Sequence, residues 1–167
     1  MVYDNKEREH RNFREHKDEG RNNNQMQSKK VSDEIRKYLQ GDEMNWESQY
    51  KLFSLEGSIK KDYCQRQGDE AKMNQLRKFY DQILSIQEGS SRGNKDIGEK
   101  LNRIVPVARY AKARELIDDG LMNLINEGVG IICKQSEPEK KKKSIDRFKN
   151  VMEAIIAYSK KEKSGGH

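Results

Sequence analysis

The side chains that could perform acid–base or nucleophilic chemistry are few and far apart in this sequence. His10 and His16 are the closest pair of histidines, and both lie in a polar stretch with no residue placed to work with them. Cys64 and Cys133 each lack a neighbouring base of the kind that activates a thiol nucleophile. The sequence therefore predicts no catalytic residue, and we expect the protein not to be an enzyme.

Metal ions and cofactors have no recognisable binding motif either. Asp118 and Asp119 are adjacent, so on a helix they project about 100° apart, which suits a helix start better than a shared metal ion. Neither cysteine belongs to a CxxC pair, which argues against structural zinc and disulfides and favours reduced, partly buried thiols in a cytoplasmic protein. Glycine-rich phosphate loops and zinc-protease motifs are absent from the sequence. We expect no metal and no cofactor.

Basic residues, by contrast, are concentrated in two neighbouring stretches. Arg77 and Lys78 lie in a stretch, residues 71–80, that contains no acid. The second stretch, residues 97–114, carries one acid and five bases, which are Lys100, Arg103, Arg109, Lys112 and Arg114. A chain with a formal net charge of only +6 can therefore present a strongly basic surface.

The side of the second stretch that carries Arg103, Tyr110 and Arg114 lies, on an ideal helix, opposite Leu101 and Ala108. Two guanidinium groups beside a phenol suit contact with phosphate groups. An ordinary solvated helix face carries the same residue types, so the pattern alone leaves both interpretations open.

The charge then changes sign. Between residues 115 and 133 all charged residues are acids, namely Glu115, Asp118, Asp119 and Glu127. This pattern suggests the hypothesis that copies of the protein contact one another head to tail, with the acidic helix of one copy on the basic flank of the next.

Hydrophobic periodicity predicts helices along most of the chain, whose 167 residues suit one domain. A short helix with Val31 and Ile35 should end at Gly41, and a second, beginning near Asp42 or Asn45, carries an apolar stripe formed by Trp46, Tyr50 and Phe53.

The strongest helical pattern starts at Met73, and the segment 89–94 should interrupt it as a flexible loop. A long helix from about Asp96 should be kinked but not ended by Pro106. Another follows Asp119, with Gly128 and Gly130 loosening its end, and the last helix should be capped by Ser136 with proline and glutamate just inside. Strand-like alternation is absent, so the predicted fold class is all-α, a small bundle of about five helices.

The ends of the chain differ from this bundle in composition. Residues 1–44 form a polar extension that we expect to be partly disordered, residues 45–162 the helical bundle domain, and residues 163–167 a frayed tail. The longest apolar run has five residues, so we expect no contact with a membrane.

Three stretches, taken in order, resemble one protein family. Residues 73–80 (MNQLRKFY) are similar to its opening motif, residues 108–114 (ARYAKAR) to its central Arg-Tyr-Ala-x-x-Arg helix, and residues 147–158 (RFKNVMEAIIAY) to its closing helix. The family is the small helical subunit of type III-A CRISPR effector (Csm) complexes, and the resemblance covers roughly residues 73–160.

The resemblance implies a subunit without an active site in an RNA-guided interference complex. Such subunits stack in several copies along the duplex of crRNA and target RNA and contact the other Csm subunits. The bases of the matching motifs would bind the RNA backbone; they are Arg77, Lys78, Arg109, Lys112 and Arg114, to which the charge pattern adds Lys100 and Arg103. A helical DNA-binding module and a helical adaptor that binds only proteins remain alternatives.

Overall fold

The computed structural model describes residues 30–41, 43–64, 70–93 and 96–159. These residues form six α-helices and one π-helical turn, and no strand occurs among them. The predicted all-α class is confirmed. The helices are α1 (Asp33–Gln40), α2 (Trp46–Phe53), α3 (Glu70–Ser91), α4 (Ile97–Ala113), α5 (Asp119–Lys134) and α6 (Pro138–Ser159), and the π-turn spans Lys60–Cys64.

The bundle is built from the four longer helices, α3 to α6. Helix α3 packs on α6 and α4, and α5 packs on α4 and α6. The two phenylalanines Phe79 of α3 and Phe148 of α6 are fully buried and lie among aliphatic side chains from all four helices. Helix α1 packs against α5 and α6 and contributes Ile35 and Leu39 to the same core.

The helix boundaries follow local side-chain chemistry. Ser32 and Asp118 accept hydrogen bonds from backbone N–H groups at the starts of α1 and α5, and Asn45 does the same for α2. Gly41 ends α1 with a φ of 95°, a conformation that glycine adopts without steric cost. The predicted end of α1 and the role of Asp118 at a helix start are therefore confirmed.

Helix α4 continues through Pro106, as the sequence predicts. Leu101 and Ala108 are buried, whereas Arg103, Tyr110 and Arg114 are exposed. The predicted division of this helix into an apolar and a basic side is confirmed.

Three sequence predictions are wrong in detail. Helix α3 continues through 89–91, where a loop was expected; glycine and serine cost little in a last turn, and the Ser91 hydroxyl donates a hydrogen bond to the Gln87 carbonyl. Ser136 is not the cap of α6, because the first helical bond runs from Lys141 N–H to the Glu137 carbonyl. Cys133 is exposed, since it lies on the outer side of the last turn of α5.

The apolar stripe of α2 has an unexpected environment. Trp46 and Tyr50 are 78% and 67% exposed, and among the eight described residues of this helix Leu52 alone is buried. The spacing predicted the helix but not the face that packs, because Leu52 projects about 100° away from Phe53 around the helix axis.

The proposed division of the chain at residues 44 and 162 stays a prediction, although α1 lies within the segment 1–44 and packs into the core. Residues 1–29 and 160–167 lie outside the described residues. The expected disorder of the N-terminal extension is therefore described only from residue 30 onwards, and the predictions for the frayed tail and for His10, His16 and His167 fall outside the described part of the chain.

Candidate nucleic-acid interface

Helices α3 and α4 pack side by side and leave an open groove of about 440 Å³ between them. Asp81 and Gln82 line it from α3, and Lys100, Arg103 and Val107 line it from α4. The connection between the two helices is short, so they run antiparallel, and the groove follows both helix axes.

All seven basic residues singled out in the sequence are exposed. Arg77 and Lys78 lie one helical turn before Asp81 and Gln82, and so extend the α3 rim of the groove. Lys100 and Arg103 form part of the opposite rim. The structure therefore places Lys100 and Arg103 at the groove, and Arg77 and Lys78 on the continuation of its α3 rim.

Beyond Val107, the α4 rim continues with Tyr110 and with Arg114, the residue that directly follows the helix. Tyr110 is 64% exposed, and the guanidinium carbon of Arg114 lies 5.6 Å from the centre of its ring. This distance is that of a cation–π contact, which holds the guanidinium against an exposed aromatic face.

Arg109 and Lys112 lie on the other side of α4. Helix geometry separates them from Arg103 by well over 90° around the axis, and Lys112 forms an ion pair with Asp119 at the start of α5. The structure thus does not bring these two residues to the groove. The seven candidates thus divide into a groove group (Arg77, Lys78, Lys100, Arg103, Arg114) and a pair on the α5 side (Arg109, Lys112).

Two acids reduce the positive charge at the groove. Glu99 forms an exposed ion pair with Arg103 one turn away on the same helix, and Asp81 lines the groove itself. Exposed pairs of this kind are weak and are screened by salt, so Arg103 can exchange Glu99 for another anion at small cost. The groove group still carries five cations against these two acids.

Three of the four acids that follow Arg114 have partners within the chain. Asp118 accepts a hydrogen bond from Leu121 N–H at 2.8 Å, and Asp119 pairs with Lys112. Glu127 accepts two hydrogen bonds from Arg36 of α1, at 2.6 and 3.1 Å. These three acids stabilise the fold, and the head-to-tail contact between copies stays a prediction.

The titratable groups with shifted pKa values lie away from the groove. Burial raises the pKa of the half-buried Cys64 thiol, so this thiol favours the protonated form. Partial loss of solvent around the exposed Cys133 thiol also raises its pKa. Hydrogen bonds to Glu127 raise the pKa of Arg36, which stays charged. Within the described ranges, no group of three or more histidine, cysteine or acidic side chains is placed to hold a metal ion.

Sequence reasoning missed the groove itself and its non-basic lining. Gln82 and Val107 carry no signal of their own, because an exposed valine or glutamine is common on any helix. The available signal was the short connection between two helices that both have basic outer sides, which predicts that these sides meet.

The described part of the chain is thus a helical bundle whose two neighbouring helices carry a row of exposed cations along one groove. It contains no helix with the length and apolar character needed to cross a bilayer. The family model described as Csm2 Type III-A matches residues 58–164, and the chain belongs to this family. The resemblance identified in the sequence is confirmed, and the protein is a subunit of the type III-A CRISPR effector class. No curated protein and no solved structure matches the chain.

Proposed function

We propose that this protein is a non-catalytic small subunit that binds the phosphate backbone of the crRNA–target RNA duplex without reading its sequence, and that several copies lie along the duplex beside the other Csm subunits. The observation that carries the proposal is the groove group of exposed cations on α3 and α4. Family membership supports the association with a Csm complex.

The chemistry of paired RNA supports this kind of binding. An A-form helix has a deep, narrow major groove that hides the base edges, so proteins recognise it through phosphates and 2′-hydroxyls. Base pairing between guide and target supplies the sequence choice, and a subunit that follows the backbone needs only correctly spaced lysines and arginines. Arg103 and Arg114 offer the planar donors that bind phosphate oxygens in pairs.

The geometry ranks the seven candidates. Lys100, Arg103 and Arg114 share one side of α4, and Arg77 and Lys78 extend the opposite rim, so these five can contact one phosphate backbone together. Arg109 and Lys112 would contact the RNA only from the α5 side, and Lys112 would first have to give up Asp119. We therefore assign the groove group the principal role.

The test is a salt titration of duplex RNA binding with the full chain, measured by fluorescence anisotropy. If five side chains each neutralise one phosphate, the logarithm of the affinity should fall with that of the salt concentration with a slope of roughly −3.5 to −4.5. The triple variant Lys100→Glu, Arg103→Glu, Arg114→Glu should lower the affinity by about tenfold or more and flatten the slope by about 2 to 3.

The matched control reverses three exposed lysines elsewhere, Lys61→Glu, Lys140→Glu and Lys143→Glu, with the same change in net charge. It should retain most of the affinity and the original slope, because long-range electrostatic attraction alone is screened at physiological salt. Equal losses in both variants would contradict the assignment of the groove. Two duplex RNAs of unrelated sequence should bind equally, whereas tighter binding of a B-form DNA duplex would favour the DNA-binding alternative.

A further inference from the structure

The two walls of the groove between α3 and α4 differ in chemistry. The α4 wall carries two cations, Lys100 and Arg103. The α3 wall presents an acid, an amide and a hydroxyl instead, which belong to Asp81, Gln82 and Ser85. All three of these α3 side chains are exposed. A groove that bound only phosphate groups would gain from cations on both walls, so the polar α3 wall indicates a second kind of contact.

Asp81 is the least expected residue of this wall, because its exposed carboxylate repels phosphate groups. Arg77, one turn before it, donates a hydrogen bond to the Asn74 side chain at 3.3 Å. Arg103 of the opposite wall pairs with Glu99 on its own helix. Within the part of the chain that the structure describes, the Asp81 carboxylate has no ion pair and no hydrogen bond. It is therefore available to accept a hydrogen bond from a ligand.

The ribose of RNA supplies a donor that matches this wall. Its 2′-hydroxyl both donates and accepts hydrogen bonds, and it lies beside the phosphate in every nucleotide. The Asp81 carboxylate can accept from this hydroxyl, whereas the side chains of Gln82 and Ser85 can either donate to it or accept from it. Deoxyribose has no donor at this position, so the hydroxyl is the group by which a protein distinguishes RNA from DNA.

The spacing of the walls suits a sugar–phosphate strand that follows the groove. Asp81 and Ser85 lie one turn apart on the same side of α3. Lys100 and Arg103 are likewise about one turn apart on α4. A strand along the groove can turn its phosphates towards the α4 wall and its 2′-hydroxyls towards the α3 wall. A-form RNA displays these hydroxyls in its wide, shallow minor groove, where side chains can reach them.

We infer that the α3 wall of the groove binds the 2′-hydroxyls of RNA, and that Asp81 determines the preference for RNA over DNA. A ligand without the hydroxyl leaves the carboxylate unsatisfied beside phosphate groups, which penalises that ligand. The inference rests on the proposed function, since it assumes that the phosphate backbone lies in this groove. It agrees with binding that ignores the base sequence, because every ribonucleotide carries the same hydroxyl.

Fluorescence anisotropy of the full chain with two duplexes of one sequence tests this inference. The first is duplex RNA; in the second, fluorine replaces each 2′-hydroxyl, which preserves the A-form helix but removes the donor. The parent chain should bind the RNA about fivefold more tightly, because a hydrogen bond to a charged group is lost with the fluorinated duplex. Helix shape cannot produce this difference, since both duplexes are A-form.

Asp81→Ala should reduce this preference to about twofold or less. Its affinity for the fluorinated duplex should rise, because a negative charge beside the phosphates is removed. Asp81→Asn keeps an accepting oxygen without the charge and should retain an intermediate preference. If Asp81 acted by charge alone, Asp81→Ala would raise both affinities equally and leave their ratio unchanged.

Glu153→Ala is the matched control, because it removes an exposed acid from α6, away from the groove, and should leave the preference at that of the parent chain. Circular dichroism should show unchanged helix content in these variants, since the substituted side chains are exposed and alanine favours the helix.

Equal binding of both duplexes by the parent chain overturns the inference, as does a full preference in Asp81→Ala. In either case the proposed function survives if the triple charge reversal on the α4 side still weakens the binding of both duplexes. A parent chain that binds neither duplex overturns the proposed function and this inference with it.

Discussion

At the residue scale, Gly128 lies where α5 crosses α6, and a Cβ atom at this position would come within 2.7 Å of Cε2 of the Phe148 ring. Phe148 is fully buried, so its ring can move only by displacing neighbouring core side chains. Gly130, two residues further along the same helix, faces open space within 4 Å of where its Cβ would lie. The sequence predicts that both glycines loosen the end of α5. In the structure, however, Gly128 is required for the close contact with Phe148, whereas Gly130 has room for a side chain.

Gly128→Ala should therefore destabilise the protein. Overpacking a filled core costs about 1–3 kcal/mol, and the gain in helix propensity offsets only about 1 kcal/mol of this. We expect the free energy of unfolding, measured by urea denaturation, to fall by about 1 kcal/mol, and by no more than about 2 kcal/mol. Gly130→Ala is the control and should raise it by about 0.5–1 kcal/mol. A stabilising effect at both positions would show that α5 and α6 can separate to admit a methyl group.

At the element scale, α1 depends on its contacts with the bundle. It has eight residues, too few for an isolated helix to be stable in water. The guanidinium group of Arg36 binds Glu127 of α5 through two nitrogens, and Arg147 of α6 donates a hydrogen bond to the Tyr38 carbonyl at 2.8 Å while lying over the Tyr38 ring. These contacts, with the buried Ile35, hold α1 on the core.

Glu127→Gln should loosen α1 without unfolding the bundle. The half-buried Arg36 loses its charged partner, which we expect to cost about 1–2 kcal/mol. Hydrogen exchange of the α1 amides, resolved by mass spectrometry, should become about tenfold faster, while exchange in α3 and α6 stays unchanged. Asp33→Asn neutralises the other, exposed acid bound to Arg36 and serves as control, with a change of about 0.5 kcal/mol or less. Equal effects of the two substitutions would contradict a special role for Glu127.

The sequence predicted some elements better than others, for physical reasons. Periodicity identified α3 to α6 because each of them buries a long apolar face in one core, as Leu76 and Phe79 do in α3. It could not reveal that Trp46 and Tyr50 face outwards, because spacing reports which side chains share a face and not what covers it. Likewise, the sign of the charge on Asp119 and Glu127 does not reveal their partners, Lys112 and Arg36, which only the packing of α4 and α1 on α5 brings near.

At the scale of the whole molecule, the proposed RNA-binding groove and the most exposed aromatic side chains lie on different helices. The basic groove uses α3 and α4, whereas Trp46 and Tyr50 lie on α2. The core connects these helices, and the π-turn packs against both α5 and α6. Tyr63 of this turn is buried among charged neighbours, so its protonation state reports on the folding of the whole bundle.

Alkaline pH should therefore weaken the fold through Tyr63. Burial raises the pKa of its hydroxyl above the ordinary value of about 10. The negative charges of Asp62, Glu127 and Asp118 raise this pKa further, and the positive charge of Arg36 lowers it in part. The unfolded chain releases this proton first, so the stabilisation is complete below pH 10 and is lost as the pH rises towards the folded-state pKa. A difference of one bound proton between the folded and unfolded chains changes the free energy of unfolding by about 1.4 kcal/mol per pH unit. Urea denaturation at pH 9, 10 and 11 should show the parent chain losing about 1 kcal/mol more between pH 10 and 11 than Tyr63→Phe, because the tyrosine of the unfolded chain is already half ionised at pH 10. Tyr50→Phe, which changes an exposed ring, is the control and should lose as much stability as the parent chain. If the free energy of unfolding fell equally with pH in all three proteins, Tyr63 would ionise as easily in the folded chain as in the unfolded one.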